Sequence, residues 1–211
     1  VCADNTPNEE VYPQTADFTF YGGIYRSVKI INVPAAHFDL EYFGGKGLKA
    51  TPVMDGVDAK VTVEAFVTNL QAKDQLSFVI KDTKGAVVKQ AESEEKCAEF
   101  ILENAHLWDG VKDPYLYTLE AAIIRDGKTV DEVSTRFGCR SFEIHPENGF
   151  ILNGREYPLR GVSRHQDRWE VGNALLPEHH IEDMDYICEM GANTIRLAHY
   201  QHDQFFYDLC D

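Results

Sequence analysis

The sequence lacks the features of disulfide-rich, metal-cluster and membrane-spanning proteins. Its cysteines are an odd number without a Cys-x-x-Cys pair, at Cys2, Cys97, Cys139, Cys188 and Cys210, which argues against a disulfide framework or a cysteine-rich metal cluster. No apolar run approaches the length of a membrane span, and no signal peptide opens the chain. Because the chain starts without Met, the sequence leaves its compartment open between cytoplasm and periplasm.

Positive charge is scarce as well. The chain has 20 Lys and Arg against 35 Asp and Glu, with a formal net charge of -15. Phosphate groups would be repelled by this balance, so nucleic acid and anionic membrane surfaces are poor candidates for partners. A neutral ligand fits the composition better.

Short segments of alternating residues follow one another between about residues 35 and 143. Residues 59–69 and 75–81 alternate apolar with other side chains, which is typical of strands with one buried face. Lys84-Gly85 and Asp126-Gly127 each separate two such segments and favour tight hairpin turns, because Gly accepts positive φ easily. About seven strands in about 110 residues predict an immunoglobulin-like β-sandwich.

The first 34 residues are too short to form a domain of their own. They begin with a turn-rich polar stretch and end with residues 27–33, whose β-branched composition predicts a strand. We interpret this segment as the end of another β-domain.

After residue 144 the apolar period changes to that of a helix. Residues 177–190 predict an amphipathic helix that starts near Pro177 and stops at Gly191, with a buried side formed by Ile181, Met184, Ile187, Cys188 and Met190. A second helix is predicted from about Asp203 through Leu209. Each helix follows a strand-like segment, and this repeat is the unit of a (β/α)₈ barrel. The predicted domains are therefore 1–34, 35–143 and 144–211.

Ionisable and aromatic side chains follow both predicted barrel strands. His165 comes after the first and His199 after the second, with Arg196 inside the second strand. Because neighbouring parallel strands lie about 4.8 Å apart, these groups can converge on the hydroxyls of one ligand. Trp169 and Tyr200, which follow directly, can stack on a sugar ring. From spacing alone, a pair of structural histidines is the simpler interpretation.

A zinc site is the other alternative. His199, His202 and Asp203 supply ligand types, and so do His179 and His180. The gap of three between His199 and His202 falls at a strand end and loop, which disfavours a metal site. His179 and His180 lie at a helix start, and we interpret them as solvated helix-terminus residues.

Several motifs, in this order, resemble those of glycoside hydrolase family 2, with its bacterial β-galactosidases as the most similar group. The motifs are Tyr21-Gly22-Gly23-Ile24-Tyr25-Arg26, Leu107-Trp108, Asp113-Pro114-Tyr115-Leu116-Tyr117, Phe137-Gly138 with Arg140, Asn153-Gly154, Gly161-Val162-Ser163-Arg164-His165 and Ile195-Arg196-Leu197-Ala198-His199-Tyr200. The resemblance covers essentially the whole chain. It implies a mainly β fold: the last strands of a jelly-roll sugar-binding domain, an immunoglobulin-like β-sandwich and the first two βα units of a (β/α)₈ TIM barrel.

The resemblance also implies a function. Family members hydrolyse terminal β-glycosides with retention, here β-galactosides, by means of a Glu acid/base and a Glu nucleophile. Both arise from later barrel strands, so the chain is expected to be an internal fragment that is inactive alone. By the same resemblance His165 and His199 support the transition state, Arg196 lines the sugar subsite, and Asp17 reaches the galactose hydroxyls.

Alternatives stay open at this point. β-Glucuronidase and β-mannosidase share the architecture, and a non-catalytic carbohydrate-binding or interaction module is the rival from another class. We expect no cofactor in this fragment, whereas the resemblance allows a divalent metal in the full enzyme and a homo-oligomer.

Overall fold

The computed structural model describes residues 2–4, 6–10 and 15–211. By contacts the chain forms two compact units, one of Ile31–Pro158 and one of Val1–Ile30 with Leu159–Asp211. These units do not test the predicted domain boundaries of 1–34, 35–143 and 144–211, which stay predictions.

The larger unit contains the predicted sandwich, in which every strand pairs antiparallel with its neighbours. Its strands are β1 (His37–Phe38), β2 (Leu48–Asp55), β3 (Asp58–Ala65), β4 (Val67–Thr68), β5 (Gln75–Lys81), β6 (Val87–Ser93), β7 (Cys97–Leu102), β8 (Tyr117–Arg125) and β9 (Lys128–Phe137). One sheet has the order β6-β5-β8-β9, another β2-β3-β7, and β1 pairs with β4. The immunoglobulin-like prediction is confirmed.

Strand alternation builds the core of this sandwich. Val61 and Val63 of β3 are fully buried, as are Phe78 and Ile80 of β5 and Leu119 of β8. These side chains come from two sheets and belong to one hydrophobic cluster, because every second residue of a strand points to the same face. The hairpin turns are also where they were predicted, with φ values of 50° at Asp126, 73° at Gly127 and 81° at Gly85.

Gly47, in the loop before β2, provides a test of this packing. Its φ is +66°, and an added Cβ would lie 2.7 Å from the backbone nitrogen of Asp39 and 2.8 Å from the carbonyl oxygen of Phe66. These two atoms are held by a mutual 2.7 Å hydrogen bond. We expect Gly47→Ala to lower the free energy of unfolding by about 2–4 kcal/mol, through left-handed backbone strain and overpacking together.

Gly56→Ala is the matched control, because its φ is +62° and nothing lies within 4 Å of its added Cβ. We expect only the backbone cost of about 1–2 kcal/mol there. Urea unfolding measures both variants, and equal losses at the two positions would contradict the packing argument.

A small antiparallel sheet ends the larger unit. It contains β10 (Phe142–His145), β11 (Gly149–Leu152) and β12 (Arg155–Glu156), with the order β10-β11-β12. No strands were predicted for these residues from the sequence pattern. Asn153 and Gly154 form the turn between β11 and β12 with positive φ values of 50° and 73°, a geometry that Asn and Gly tolerate best.

The second unit contains the predicted strand–helix repeat. Its elements are β13 (Gly161–Arg164), α1 (Pro177–Glu189), β14 (Thr194–Leu197) and α2 (Gln204–Cys210). The two strands are parallel neighbours, in a register that pairs Gly161 with Thr194 and Arg164 with Leu197. The start of a TIM barrel, with two βα units, is therefore confirmed, and the carboxyl ends of both strands open at one edge.

The predicted buried side of α1 is partly wrong. Ile187 is buried as predicted, whereas Ile181 is 44% exposed and Cys188 and Met190 are exposed. His180 lies buried in their place. The helix turns His180 and Asp183 inward because both are hydrogen-bonded to the buried side chain of Arg164, and this need outweighs the burial of Ile181.

The strand predicted over residues 27–33 is not formed. Residues 15–36 contain no strand, and Ile30 is 99% exposed. A β-branched composition favours an extended backbone, but a strand forms only where a neighbour completes its hydrogen bonds. That this segment ends a jelly-roll domain stays a prediction.

Candidate functional site

Two histidine rings meet at the carboxyl ends of the parallel strands. His165 is the first residue after β13, and His199 is the second after β14. Their ring centroids lie 5.5 Å apart with the planes at 85°. The parallel pairing brings the two imidazoles together, as the sequence pattern led us to expect.

An aromatic side chain from the beginning of the chain packs against both rings. The centroid of Phe18 lies 5.4 Å from that of His165, 5.9 Å from that of His199 and 5.7 Å from that of Tyr200. We call Phe18, His165, His199 and Tyr200 the strand-end cluster. Phe18 was not among the predicted site residues, and the run of aromatic residues next to Asp17 was the signal that could have identified it.

Arg196 sets the hydrogen-bonding role of His199. Its Nη2 donates to His199 Nδ1 at 2.7 Å, and its Nη1 donates to Ser163 Oγ at 3.4 Å. A guanidinium can only donate, so Nδ1 of His199 acts as the acceptor. The neutral ring therefore carries its proton on Nε2, where it can be donated to a ligand hydroxyl.

The other proposed binding residues differ in their surroundings. The hydroxyl of Tyr200 accepts a 3.1 Å hydrogen bond from the backbone nitrogen of Gln166, and burial raises the pKa of this phenol. Asp17 is exposed in a bend beside Phe18. Trp169 is 88% exposed in a turn of the loop between β13 and α1. Neither Asp17 nor Trp169 belongs to the strand-end cluster, and their part in binding stays a prediction.

A buried polar network, which the sequence did not reveal, lies next to the cluster. Arg164 is 7% exposed. Its Nε and Nη2 donate to Asp183 Oδ2 at 2.9 and 2.6 Å, its Nη1 donates to His202 Nδ1 at 3.1 Å, and its Nη2 donates to His180 Nδ1 at 3.1 Å. The guanidinium carbon lies 4.0 Å from the ring centroid of Phe206. We call these five residues the Arg164 network.

Both imidazoles of the network accept from a guanidinium, so both are held neutral. Burial, and then the charge of Arg164, lowers the pKa of His202 to about 4. The same two causes lower the pKa of His180. The interpretation of His180 as a solvated residue is wrong, because it faces Arg164. His179, only partly buried, accepts at Nδ1 from the Leu176 backbone nitrogen at the start of α1.

The residues weighed as zinc ligands are engaged otherwise. His202 uses Nδ1 for Arg164, and Asp203 accepts from the backbone nitrogen of Phe205 as the N-cap of α2. In the part of the chain that the structure describes, no three His, Cys, Asp or Glu side chains are grouped to hold a metal. The divalent metal that the resemblance allows belongs to the full enzyme, and that expectation stays a prediction. Among the residues that the structure describes, no helix is long and apolar enough to cross a membrane.

A cleft of about 760 Å³ adjoins the strand-end cluster within the second unit. Its aromatic walls are Phe18, Phe20, Tyr21, Tyr25 and Tyr200, and its polar lining includes Arg26, Asn173 and His199. Arg26 Nη2 donates to the carbonyl oxygen of Gln201 at 2.7 Å, which joins the two segments that form the walls. Aromatic faces next to hydrogen-bond donors suit a sugar, whose C–H groups pack on rings while its hydroxyls bind polar groups.

The neutral state of His202 predicts acid sensitivity of this unit. After burial, the causes that lower the pKa of His202 are the charges of Arg164 and Arg26 and the imidazoles of His180 and His165. The ordinary pKa of 6.5 falls to about 4 in the folded protein, so between these values the unfolded chain binds a proton that the folded chain does not. The free energy of unfolding should therefore fall as the pH drops from 6.5 towards 4.

The measurement is the urea midpoint of the helix circular dichroism signal across this pH range. His202→Asn is the matched variant, because the amide oxygen of Asn can accept the hydrogen bond from Arg164 in place of Nδ1 and does not titrate. We expect a flatter pH dependence for His202→Asn, and identical slopes for the two proteins would contradict the assignment.

Comparisons with known proteins agree with this architecture. The model for "Glycosyl hydrolases family 2" matches residues 46–140, and that for "Glycosyl hydrolases family 2, TIM barrel domain" matches residues 142–211. A β-glucuronidase of Bacteroides fragilis is 36% identical over 222 residues, which cover 100% of this chain and 32% of that protein.

Two further relatives differ in their names. The crystal structure of an FMN-binding β-glucuronidase from Facaelibacterium prausnitzii L2-6 superposes with a TM-score of 0.93 at 44% identity and covers 98% of this chain and 32% of that one. The β-galactosidase large subunit of Lactobacillus acidophilus is 30% identical, over 92% of this chain and 31% of that subunit. The chain therefore spans about a third of the length of these relatives.

Proposed function

Because the chain belongs to glycoside hydrolase family 2, we propose that it is part of a longer retaining glycosidase that removes terminal β-linked sugars, with β-glucuronides as the first candidate substrates. We call that longer polypeptide the complete protein. The sequence motifs favoured β-galactosides, whereas the relatives at 44% and 36% identity are named β-glucuronidases and the β-galactosidase subunit is 30% identical. The comparisons thus support the alternative better than the first expectation.

The observation that carries this proposal is the pair of imidazoles at neighbouring strand ends. In (β/α)₈ enzymes, groups at this edge of the sheet face the substrate. His165 and His199 lie 5.5 Å apart there, so one pyranose can contact both. Phe18 packs against both imidazoles, and its ring centroid lies 5.7 Å from that of Tyr200, so both aromatic rings border the same site.

The imidazole of His199 can stabilise the transition state of glycoside hydrolysis. Glycoside hydrolysis passes through a state with oxocarbenium character, in which hydrogen bonds to the sugar hydroxyls strengthen. Nε2–H of His199 is a donor for such a hydroxyl, because Arg196 occupies Nδ1 at 2.7 Å. A donor that binds the transition state more tightly than the ground state raises kcat.

The carboxylates that make and break the glycosidic bond are assigned to other parts of the complete protein. A (β/α)₈ barrel needs about 250 residues, and this chain holds two of its strand–helix units. The chain would contribute one wall of the sugar subsite, and the acid/base and nucleophile would face it from later strands.

The test compares this 211-residue chain with the complete protein on chromogenic β-glucuronide, β-galactoside and β-mannoside. We expect the chain alone to be inactive and the complete protein to prefer the glucuronide by at least about 10²-fold in kcat/KM, the discrimination that loss of a buried charge-assisted contact produces. Preference for the galactoside would instead favour the second candidate, which the Lactobacillus acidophilus relative supports. A complete protein that cleaves none of the three would point to a non-catalytic carbohydrate-binding module.

A further inference from the structure

We infer that Arg164, Gln166 and His202 are positioning residues, which hold the two strand ends together and thereby set how the rings of His165 and His199 face a substrate. The inference rests on the proposed function and assigns a role to side chains that do not touch the sugar.

The first support is a backbone hydrogen bond that joins the end of β13 to the chain after β14. The carbonyl oxygen of Arg164 accepts from the backbone nitrogen of Ala198 at 2.9 Å. The next residue along the chain on each side is a histidine of the strand-end cluster, His165 or His199. A displacement of either partner in this bond therefore moves a cluster ring.

Gln166 adds two more links between the same segments. Its backbone nitrogen donates to the hydroxyl of Tyr200 at 3.1 Å, and its Oε1 accepts from the backbone nitrogen of Asp203 at 2.5 Å. Gln166 is almost fully buried, so water cannot substitute for these bonds. In the sequence, His165 therefore lies between Arg164 and Gln166, and both of these are hydrogen-bonded to residues that follow β14.

The side chain of Arg164 fixes the same region from inside. One carboxylate, Asp183, and two imidazole nitrogens accept its hydrogen bonds. Burial of a cation is tolerated only where hydrogen bonds compensate it, and Arg164 has four of them to three side chains. Nε2 of His202 is buried without a hydrogen bond, so the link through His202 depends on its Nδ1. The strand end that precedes His165 is therefore anchored to α1 through His180 and Asp183, and to the loop before α2 through His202.

His202 connects this anchor to the cluster. It is 3% exposed, its Nδ1 accepts from Arg164, and its ring centroid lies 5.4 Å from that of Tyr200. Tyr200 in turn packs against Phe18 and against His165, at 5.7 and 6.1 Å. Removal of the imidazole would take one acceptor from Arg164 and one ring contact from Tyr200. In the sequence, Arg164 precedes His165 and Tyr200 follows His199.

The experiment uses the complete protein and separates the hydrogen bond from the volume of the ring. His202→Leu removes the acceptor for Arg164, whereas His202→Asn keeps one. We expect His202→Leu to lower kcat at least about tenfold with KM changed less than about threefold, because a misplacement of about 1 Å can cost up to about 10²-fold in rate. His202→Asn should recover most of that loss.

Arg164→Lys is the second variant, since Lys keeps the charge but not the fork that serves three acceptors. We expect it to behave like His202→Leu. Tyr186→Phe on α1 is the control, because it deletes an exposed hydrogen bond to Glu182 on the same helix, and it should leave both constants unchanged.

Crystal structures of the wild-type and His202→Leu complete protein provide a readout that does not need activity. We expect the His165 and His199 rings to depart from their 5.5 Å separation. Rings that keep their positions in His202→Leu would overturn the inference. So would a His202→Asn variant that is no more active than His202→Leu, if the kinetic losses of both follow the fraction of folded protein. A wild type that cleaves no glycoside would refute the proposed function alone, because the ring positions still test the positioning role.

Discussion

The His199→Ala variant of the complete protein is expected to hydrolyse its β-glycoside about 10²–10³ times more slowly in kcat/KM. The ring is oriented by Arg196, whose Nη2 lies 2.7 Å from Nδ1, and Nε2 is left as a donor at the strand ends. Loss of one preoriented donor to a transition state typically has an effect of this size. Most of the loss should fall on kcat, since the hydrogen bond strengthens as charge develops.

His145→Ala is the matched control, because it removes an exposed imidazole from β10 in the other unit. Steady-state kinetics on the best substrate of the panel measures both variants, with circular dichroism to verify folding. A loss below about threefold for His199→Ala would return His165 and His199 to the simpler interpretation as structural histidines.

The Phe78→Ala variant is expected to lower the free energy of unfolding of the sandwich by about 3–5 kcal/mol. Phe78 is fully buried in β5, between β6 and β8, and belongs to the cluster that joins the sheets. Its removal leaves a cavity that the surrounding strands cannot close without breaking their ladder of hydrogen bonds. A loss of this size is a large fraction of the stability of a typical domain, which is about 5–15 kcal/mol.

Ile101→Ala is the control for this second variant, because Ile101 is 47% exposed on β7 and its truncation should cost less than about 1 kcal/mol. The chain has 2 Trp, one in each unit, so a Trp169→Phe background leaves Trp108 to report on the sandwich. Urea unfolding followed by its fluorescence gives both values. Equal urea midpoints for Phe78→Ala and Ile101→Ala would contradict the assignment of Phe78 to the core.

Periodicity predicted most of the secondary structure for a physical reason. Alternation at Val61 and Val63, or at Phe78 and Ile80, is a local consequence of which side chains face water, and it can be read without knowledge of the partner strand. Turn chemistry is equally local, since Gly85 and Gly127 adopt positive φ values of 81° and 73°. The prediction of a strand over residues 27–33 was wrong, because a strand also needs a hydrogen-bonded neighbour, which local sequence does not show.

The candidate site was predicted in part. His165 and His199 could be placed together because strand ends can be recognised in the sequence and parallel strands open at one edge. Phe18 could not be placed, because it lies 147 residues before His165 in the numbering and only the folded chain brings the rings to 5.4 Å. The burial of the Arg164 side chain could not be predicted either, since its acceptor Asp183 lies on α1.

The sequence by itself determined the order of the elements, the sandwich followed by two strand–helix units, and the residue types available at the strand ends. These follow from hydrophobic period, turn residues and composition, all of which act over a few positions. The tertiary structure alone decided which polar groups are buried and paired, because the pKa of His202 and the inward face of α1 depend on Arg164, which lies 38 and 19 residues away from His202 and Asp183. Charges and hydrogen bonds act through space, and their partners are chosen only when the chain has folded.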